Sequence, residues 1–156
     1  MKTDQGNPLF KACEVALTYK SKVKASERYK ISSSKDAFEL LVNNFYSEDT
    51  IEHNESFKII LLNQGNKVLG VSSIAEGGIS ATVADTRIIM QAAILANASS
   101  IILSHNHPSG NTNPSSNDNR VTEDVKKACE IMQITLLDHL IVTAENYFSY
   151  ADEGKI

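Results

Sequence analysis

The polar segment that follows Leu103 contains the residue types best suited to chemistry. It opens Ser104-His105-Asn106-His107-Pro108-Ser109-Gly110 and ends Pro114-Ser115-Ser116-Asn117-Asp118. Two of the four histidines of the chain therefore stand in one His-x-His pair. A loop of this length inside a compact domain usually has a function. Imidazoles followed by a carboxylate favour metal binding as that function.

The spacing of these residues indicates how they can share one ion. His105 and His107 come directly after a buried-strand pattern at residues 100–103. Because residues i and i+2 of an extended segment point the same way, both imidazoles can reach one point. Asp118, at the start of the next predicted helix, can return to supply an oxygen. This set leaves a fourth tetrahedral position for water, and zinc fits it best, although iron, nickel or cobalt can also occupy it.

Each of these features also has a purely structural explanation. A single His-x-His pair is a weak signal, and an aspartate at a helix start is more often a cap than a ligand. It is the combination of His105, His107 and Asp118 that predicts one zinc ion per chain.

The same residues match the signature of a known enzyme class. His105-x-His107-Pro108 is followed by Ser115, eight residues after the second histidine, and by Asp118, three residues later. This pattern resembles the JAMM signature of the MPN-type metalloproteases.

The neighbouring segments resemble one branch of that class, the RadC family. The resemblance rests on Ile-Ile-Leu-Ser-His-Asn-His-Pro-Ser-Gly at residues 101–110, Pro-Ser at 114–115 and Leu-Asp-His-Leu-Ile-Val at 137–142. It extends over about residues 29–156. It implies an α/β fold of the JAB1/MPN type, a mixed sheet flanked by helices that is similar to that of the cytidine deaminases.

The resemblance also implies roles for two further residues. Ser115 would hydrogen-bond the oxyanion, and a glutamate from an earlier strand would act as general base. Glu55 is the preferred base because Glu-Ser-Phe through Leu-Asn at residues 55–63 matches the "ExFxxxxLN" of RadC-like sequences. Glu52 is the open alternative and Glu76 a weaker one, and Glu55 can also be an ordinary charged residue at a strand end.

Asp138 and His139 are polar residues inside an otherwise apolar strand pattern. They can orient a zinc-binding histidine. They can equally be polar groups that are satisfied beside the sheet. The sequence leaves both explanations open.

The hydrophobic periodicity predicts the elements that must position these residues. Alternating strands and helices indicate a two- or three-layer α/β domain around a mixed sheet. We expect an N-terminal segment with an edge strand at residues 1–28 and one globular domain at 29–156. The predicted strands cover residues 12–19, 57–62, 67–74, 100–103, 134–142 and 147–150, and the predicted helices cover 35–46, a segment opened by Asp85, and 119–132.

Composition narrows the class of protein. Of 156 residues, 42% are hydrophobic and 22% charged, which is typical of a globular protein. The net charge of -4 gives no electrostatic case for nucleic-acid binding. Neither a signal peptide nor an apolar run long enough to span a membrane is apparent, so we expect a cytoplasmic protein.

The predicted function is that of a zinc-dependent metallohydrolase, a peptidase or isopeptidase that activates water and acts on a peptide or protein substrate. The RadC resemblance implies an alternative, an accessory protein of DNA repair, recombination or anti-restriction without proteolytic activity. Family members often carry a helix-hairpin-helix region, and none is evident in this sequence. Direct nucleic-acid binding, the substrate and the oligomeric state stay open.

Overall fold

The computed structural model describes residues 14–16, 18, 20–77 and 84–156. Within them, three α-helices and five strands alternate much as the periodicity predicts. A short 3-10 helix at Ala25–Glu27, which the sequence did not predict, precedes them. The elements are α1 (Ser34–Asn44), β1 (Ser56–Leu62), β2 (Val68–Glu76), α2 (Thr86–Leu95), β3 (Ser100–Asn106), α3 (Ser116–Ile131), β4 (Thr135–Val142) and β5 (Tyr147–Ser149).

The five strands form one mixed sheet in the order β2-β1-β3-β4-β5. The central strand β3 pairs with β4 in parallel, and the two are connected through α3. The other neighbouring pairs are antiparallel. The mixed sheet and its flanking helices confirm the α/β fold that the RadC resemblance implies.

The sheet separates two apolar cores, so the domain has three layers. On one face, Ala37 and Leu41 of α1 pack against Ile60, Ile102 and Leu140 of the sheet. On the other face, residues of α2 and α3 pack against the sheet, among them Ile89, Ala93, Val125, Cys129, Ile59, Ile101 and Leu103. The face that carries α2 and α3 also carries His105, because Ile101, Leu103 and His105 are spaced two residues apart along β3 and therefore point to the same face.

Two predicted boundaries beside the motif are wrong. Helix α3 begins at Ser116 and not at residue 119, because Ser115 and Asp118 form a capping box at its N-terminus. Strand β3 continues through Asn106 instead of ending at Leu103. An apolar pattern does not reveal this extension, since the last three residues of β3 are polar although all of them are buried. The loop between β3 and α3 is correspondingly shorter.

A register shift in β4 determines which way His139 points. Ile101 pairs with Leu136, whereas the next residue, Ile102, pairs with Asp138, so β4 contains one extra residue. Such a bulge reverses the alternation of side chains beyond it. Leu136 lies in the core beneath α2 and α3, and His139, three residues later, contacts Thr122 of α3. Regular alternation would have turned His139 towards α1.

Asp138, at this bulge, is held by the adjoining strand. Its carboxylate accepts hydrogen bonds from the backbone N–H groups of His139 (2.7 Å) and Ala151 (2.9 Å) and from the hydroxyl of Ser149 (2.6 Å). Burial raises the pKa of Asp138, against the effect of these hydrogen bonds. These contacts make Asp138 a buried polar group whose hydrogen bonds are satisfied beside the sheet.

The N-terminal expectations fall partly on residues that the structure does not describe. Four of the eight residues of the predicted strand at 12–19 lie outside the described residues, and the other four, 14–16 and 18, are not part of a strand. The division at residue 28 stays a prediction. Among the residues that are described, no helix combines the length and the apolar character that crossing a bilayer requires.

Candidate metal centre

The three predicted ligands meet at the end of β3 that faces α3. Nε2 of His105 lies 3.0 Å from Nε2 of His107 and 3.1 Å from Oδ1 of Asp118. Nε2 of His107 lies 3.5 Å from Oδ2 of Asp118. All three residues offer ligand atoms within 4.8 Å of one another, which makes this group able to hold a metal ion.

The separations fit a tetrahedral ion bound by nitrogen and oxygen. Bonds of about 2.0–2.1 Å to zinc place neighbouring ligand atoms about 3.3 Å apart. The His105–His107 and His105–Asp118 separations of 3.0 and 3.1 Å lie close to that value, while Nε2 of His107 approaches the other carboxylate oxygen, Oδ2, at 3.5 Å. His105 and Asp118 are buried, while the His107 side chain is 17% exposed, so the fourth position can open to solvent on the His107 side.

Each candidate ligand is positioned by a different part of the chain. His105 is held rigidly within β3, with 1% of its surface exposed. His107 lies just beyond the strand, where its N–H bonds the carbonyl of Val142 at 3.0 Å. Nδ1 of His107 lies 2.6 Å from the carbonyl oxygen of Asn111 and donates to it, because that oxygen only accepts. This bond directs Nε2 of His107 towards the other two ligands.

Asp118 is a helix cap and a candidate ligand at the same time. Its Oδ2 accepts from the backbone N–H of Ser115 at 2.7 Å, which fixes the carboxylate in the first turn of α3. Its Oδ1 is the atom closer to His105. The two explanations of Asp118 that the sequence offers are therefore not exclusive, because the cap aims the carboxylate at the histidines.

The charges at the centre are strongly coupled. Burial raises the pKa of Asp118, but the adjacent imidazoles of His105 and His107 outweigh this effect and hold the pKa well below its usual range. The hydrogen bond with Asp118 raises the pKa of His107, against the opposing effect of burial. The site therefore favours a cationic group between the histidines and the carboxylate, which a proton or a metal ion can supply.

His139 contacts the buried candidate ligand His105 on the Nδ1 side of its ring. Its Nε2 lies 2.9 Å from Nδ1 of His105, and its Nδ1 lies 2.6 Å from Oγ1 of Thr122. Burial lowers the pKa of His139 well below its usual value, so the ring is neutral. Of the two polar residues predicted in β4, His139 contacts a candidate ligand, whereas Asp138 bonds to β5 and its surroundings.

The candidate base Glu55 stands at the edge of this centre. It directly precedes β1, is partly exposed, and its negative charge contributes to raising the pKa of His107. It also lines a cavity of about 210 Å³ together with Tyr46, Lys58 and Glu76. The alternative, Glu52, is exposed and lines a different cavity, towards the C-terminal end of α1.

Ser115 is the N-cap of α3. Its Oγ accepts from the backbone N–H of Asp118 at 3.1 Å, and this bond does not use the hydroxyl proton. The residue is exposed next to a buried candidate ligand. Its hydroxyl is thus able to donate to a group bound at the centre.

One contributor, Thr122, was missed by the sequence analysis. It is 4% exposed and lies one helical turn after Asp118, so it shares the face of α3 that is turned towards the histidines. The spacing of four residues from a predicted ligand is the signal that could have identified it.

The raised pKa of His107 predicts how the stability of the metal-free protein depends on pH. The folded-state pKa lies above the unfolded value of about 6.5, so protonated His107 stabilises the fold fully below that pH. This contribution is lost as the pH rises through the folded-state pKa. We expect the Tm of protein kept in EDTA to fall over that interval, and His107→Gln to remove this part of the fall.

A substitution of the exposed His53 to Gln is the matched control, and it should leave the pH dependence of Tm unchanged. If the His107→Gln protein kept the full wild-type dependence, the pairing of His107 with Asp118 would be wrong.

Comparison with known sequences supports the fold and places the motif in a family. The model of the RadC-like JAB domain family matches residues 31–155. A "UPF0758 protein" of Flavobacterium johnsoniae is 42% identical over 125 residues, which cover 80% of this chain and 53% of that protein. A "UPF0758 protein" of Porphyromonas gingivalis is 46% identical over 103 residues, 65% of this chain and 45% of its own length.

A third relative, a "UPF0758 protein" of Streptococcus sanguinis, is 48% identical over 99 residues, 64% of this chain and 44% of that protein. The chain thus spans about half the length of these curated relatives. The family match covers most of the chain, including β1 to β5 and all three candidate ligands. This chain belongs to the RadC-like JAB domain family.

Proposed function

We propose that the protein is a zinc-dependent metallohydrolase of the JAMM type that cleaves a peptide or isopeptide bond. The observation that carries the proposal is the convergence of two imidazole nitrogens and a carboxylate at separations that suit a tetrahedral ion. Zinc prefers this ligand set, and a catalytic zinc site keeps one position open. The partly exposed side at His107 provides that position.

When bound, zinc would lower the pKa of a water molecule towards about 7 and polarise the carbonyl of the substrate. His105, His107 and Asp118 would hold the ion. The donor set argues for a hard or borderline divalent cation, since it contains no thiolate.

Glu55 would act as the general base. Its carboxylate takes a proton from the attacking water while the water oxygen bonds to the carbonyl carbon. The same carboxyl group then returns the proton to the leaving nitrogen as the C–N bond breaks, which yields a carboxylate and an amine. Its position before β1, at the edge of the centre and accessible to solvent, is compatible with both transfers.

Ser115 would stabilise the oxyanion that forms on the carbonyl. The hydroxyl proton that capping leaves available can be donated to that oxygen. Because the cap fixes the backbone of Ser115 beside Asp118, the donor is positioned before the substrate arrives.

The base is tested by comparing Glu55→Gln with Glu52→Gln in zinc-loaded protein. The probes are a quenched fluorescent peptide library and a peptide that contains a lysine isopeptide bond. We expect Glu55→Gln to lower kcat on any cleaved probe by about 100-fold or more, because a positioned base contributes about that factor. Zinc content should not change, and Glu52→Gln should stay within about twofold of the wild type, since it does not touch the reacting atoms.

Two outcomes would contradict this proposal. One is zinc-loaded wild-type protein that cleaves neither probe, which would favour a binding role for the domain. The other is full activity in Glu55→Gln, which would remove Glu55 as the base.

The oxyanion role is tested by Ser115→Ala against Ser33→Ala. Both serines are N-caps in a capping box, so each substitution should cost about 1 kcal/mol of stability. Only Ser115 lies at the centre, and its loss should lower kcat by about 100-fold. Equal, small effects of the two variants on kcat would show that Ser115 is a cap alone.

A further inference from the structure

Thr122 determines the direction of a chain of hydrogen bonds behind the centre. Its Oγ1 lies 2.7 Å from the carbonyl oxygen of Asp118 and 2.6 Å from Nδ1 of His139. The carbonyl oxygen can only accept, and the hydroxyl has one proton, so that proton goes to Asp118. Thr122 must then accept from His139, which therefore carries its proton on Nδ1.

The position of the proton on His139 in turn determines the position of the proton on the candidate ligand His105. Its ring is fully buried, stacked on Tyr150 with ring centroids 5.0 Å apart and tilted against Phe57 at 5.7 Å. A neutral imidazole with its proton on Nδ1 has only an acceptor at Nε2. That acceptor lies 2.9 Å from Nδ1 of His105, so His105 must donate from Nδ1. The lone pair of His105 is left on Nε2, the atom that faces His107 and Asp118.

We propose that Thr122 and His139 are positioning residues that hold His105 in the Nδ1–H tautomer, with its Nε2 lone pair ready for a metal ion before any ion arrives. This series of hydrogen bonds starts at the backbone carbonyl of one candidate ligand, Asp118, and ends at the ring of another, His105. The two ligands are thereby linked through α3 and β4.

This constraint acts against a local preference. Oδ1 of Asp118 lies 3.1 Å from Nε2 of His105, and by itself this carboxylate would favour a proton on Nε2. A ring in that tautomer would have to move its proton before it could bind a metal ion. The hydrogen bonds that run from Thr122 through His139 keep the His105 proton on Nδ1 and so remove that step. Its significance for catalysis rests on the proposed function, but the tautomer itself does not.

The test is the tautomer of His105 in the metal-free 156-residue protein, read from the ¹⁵N shifts of the imidazole nitrogens after assignment of the four histidines. We expect the wild type to carry the His105 and His139 protons on Nδ1. Thr122→Val, which has nearly the same shape but no hydroxyl, should populate the Nε2–H form of His105. Thr122→Ser keeps the hydroxyl and should restore the wild-type shifts.

Zinc affinity, measured by competition with a chelator, provides a second readout without any substrate. Thr122→Val should weaken zinc binding about tenfold or more, because partners that orient a metal-binding histidine typically contribute 10- to 100-fold. Thr122→Ser should remain within about threefold of the wild type. A loss shared equally by both variants would point to a packing effect and contradict the proposal.

A proton on Nε2 of His105 in the metal-free wild type would overturn the inference, and this result needs no variant to fold. Unchanged shifts and affinity in Thr122→Val would overturn it as well. Neither outcome depends on hydrolysis, so the inference and the proposed function can fail separately.

Discussion

The arrangement of the site depends on one electrostatic constraint. The Nε2 atoms of His105 and His107 are held 3.0 Å apart, and the carboxylate of Asp118 lies against both. Because Nδ1 of His107 donates to a carbonyl and His105 is constrained by His139, the two facing nitrogens present lone pairs to each other. Two lone pairs and a carboxylate at this distance require a cation between them, and a metal ion competes with a proton for that place.

The fold holds these mutually repelling groups together through three independent supports. The polar end of β3 fixes His105, the capping box of α3 fixes Asp118, and the turn after β3 fixes His107 through a backbone carbonyl. The bulge in β4 adds a fourth support, because it turns His139 towards His105. The rigid placement of ligands on the ends of regular elements is what makes a metal site selective in geometry.

The sequence could predict the three candidate ligands because their types and spacing are local. It also predicted the alternation of elements, since the strands and helices that form the two cores carry clear apolar periodicity. It failed where buried polar residues depend on distant partners. Ser104 bonds Tyr46, and Asn106 bonds the backbone of Ile51, so β3 continues through residues that look like a loop. The contact between His139 and His105 depends on the bulge in β4, which no local sequence pattern predicts.

The most direct test of the account is the zinc content of the purified 156-residue protein, measured by elemental analysis. About one zinc per chain is expected in the wild type and in Asp36→Ala, whose aspartate caps α1 in the same way as Asp118 caps α3. His107→Ala and Asp118→Ala should lose the ion. A wild-type protein that contains no metal and takes up none when zinc is added would contradict the account.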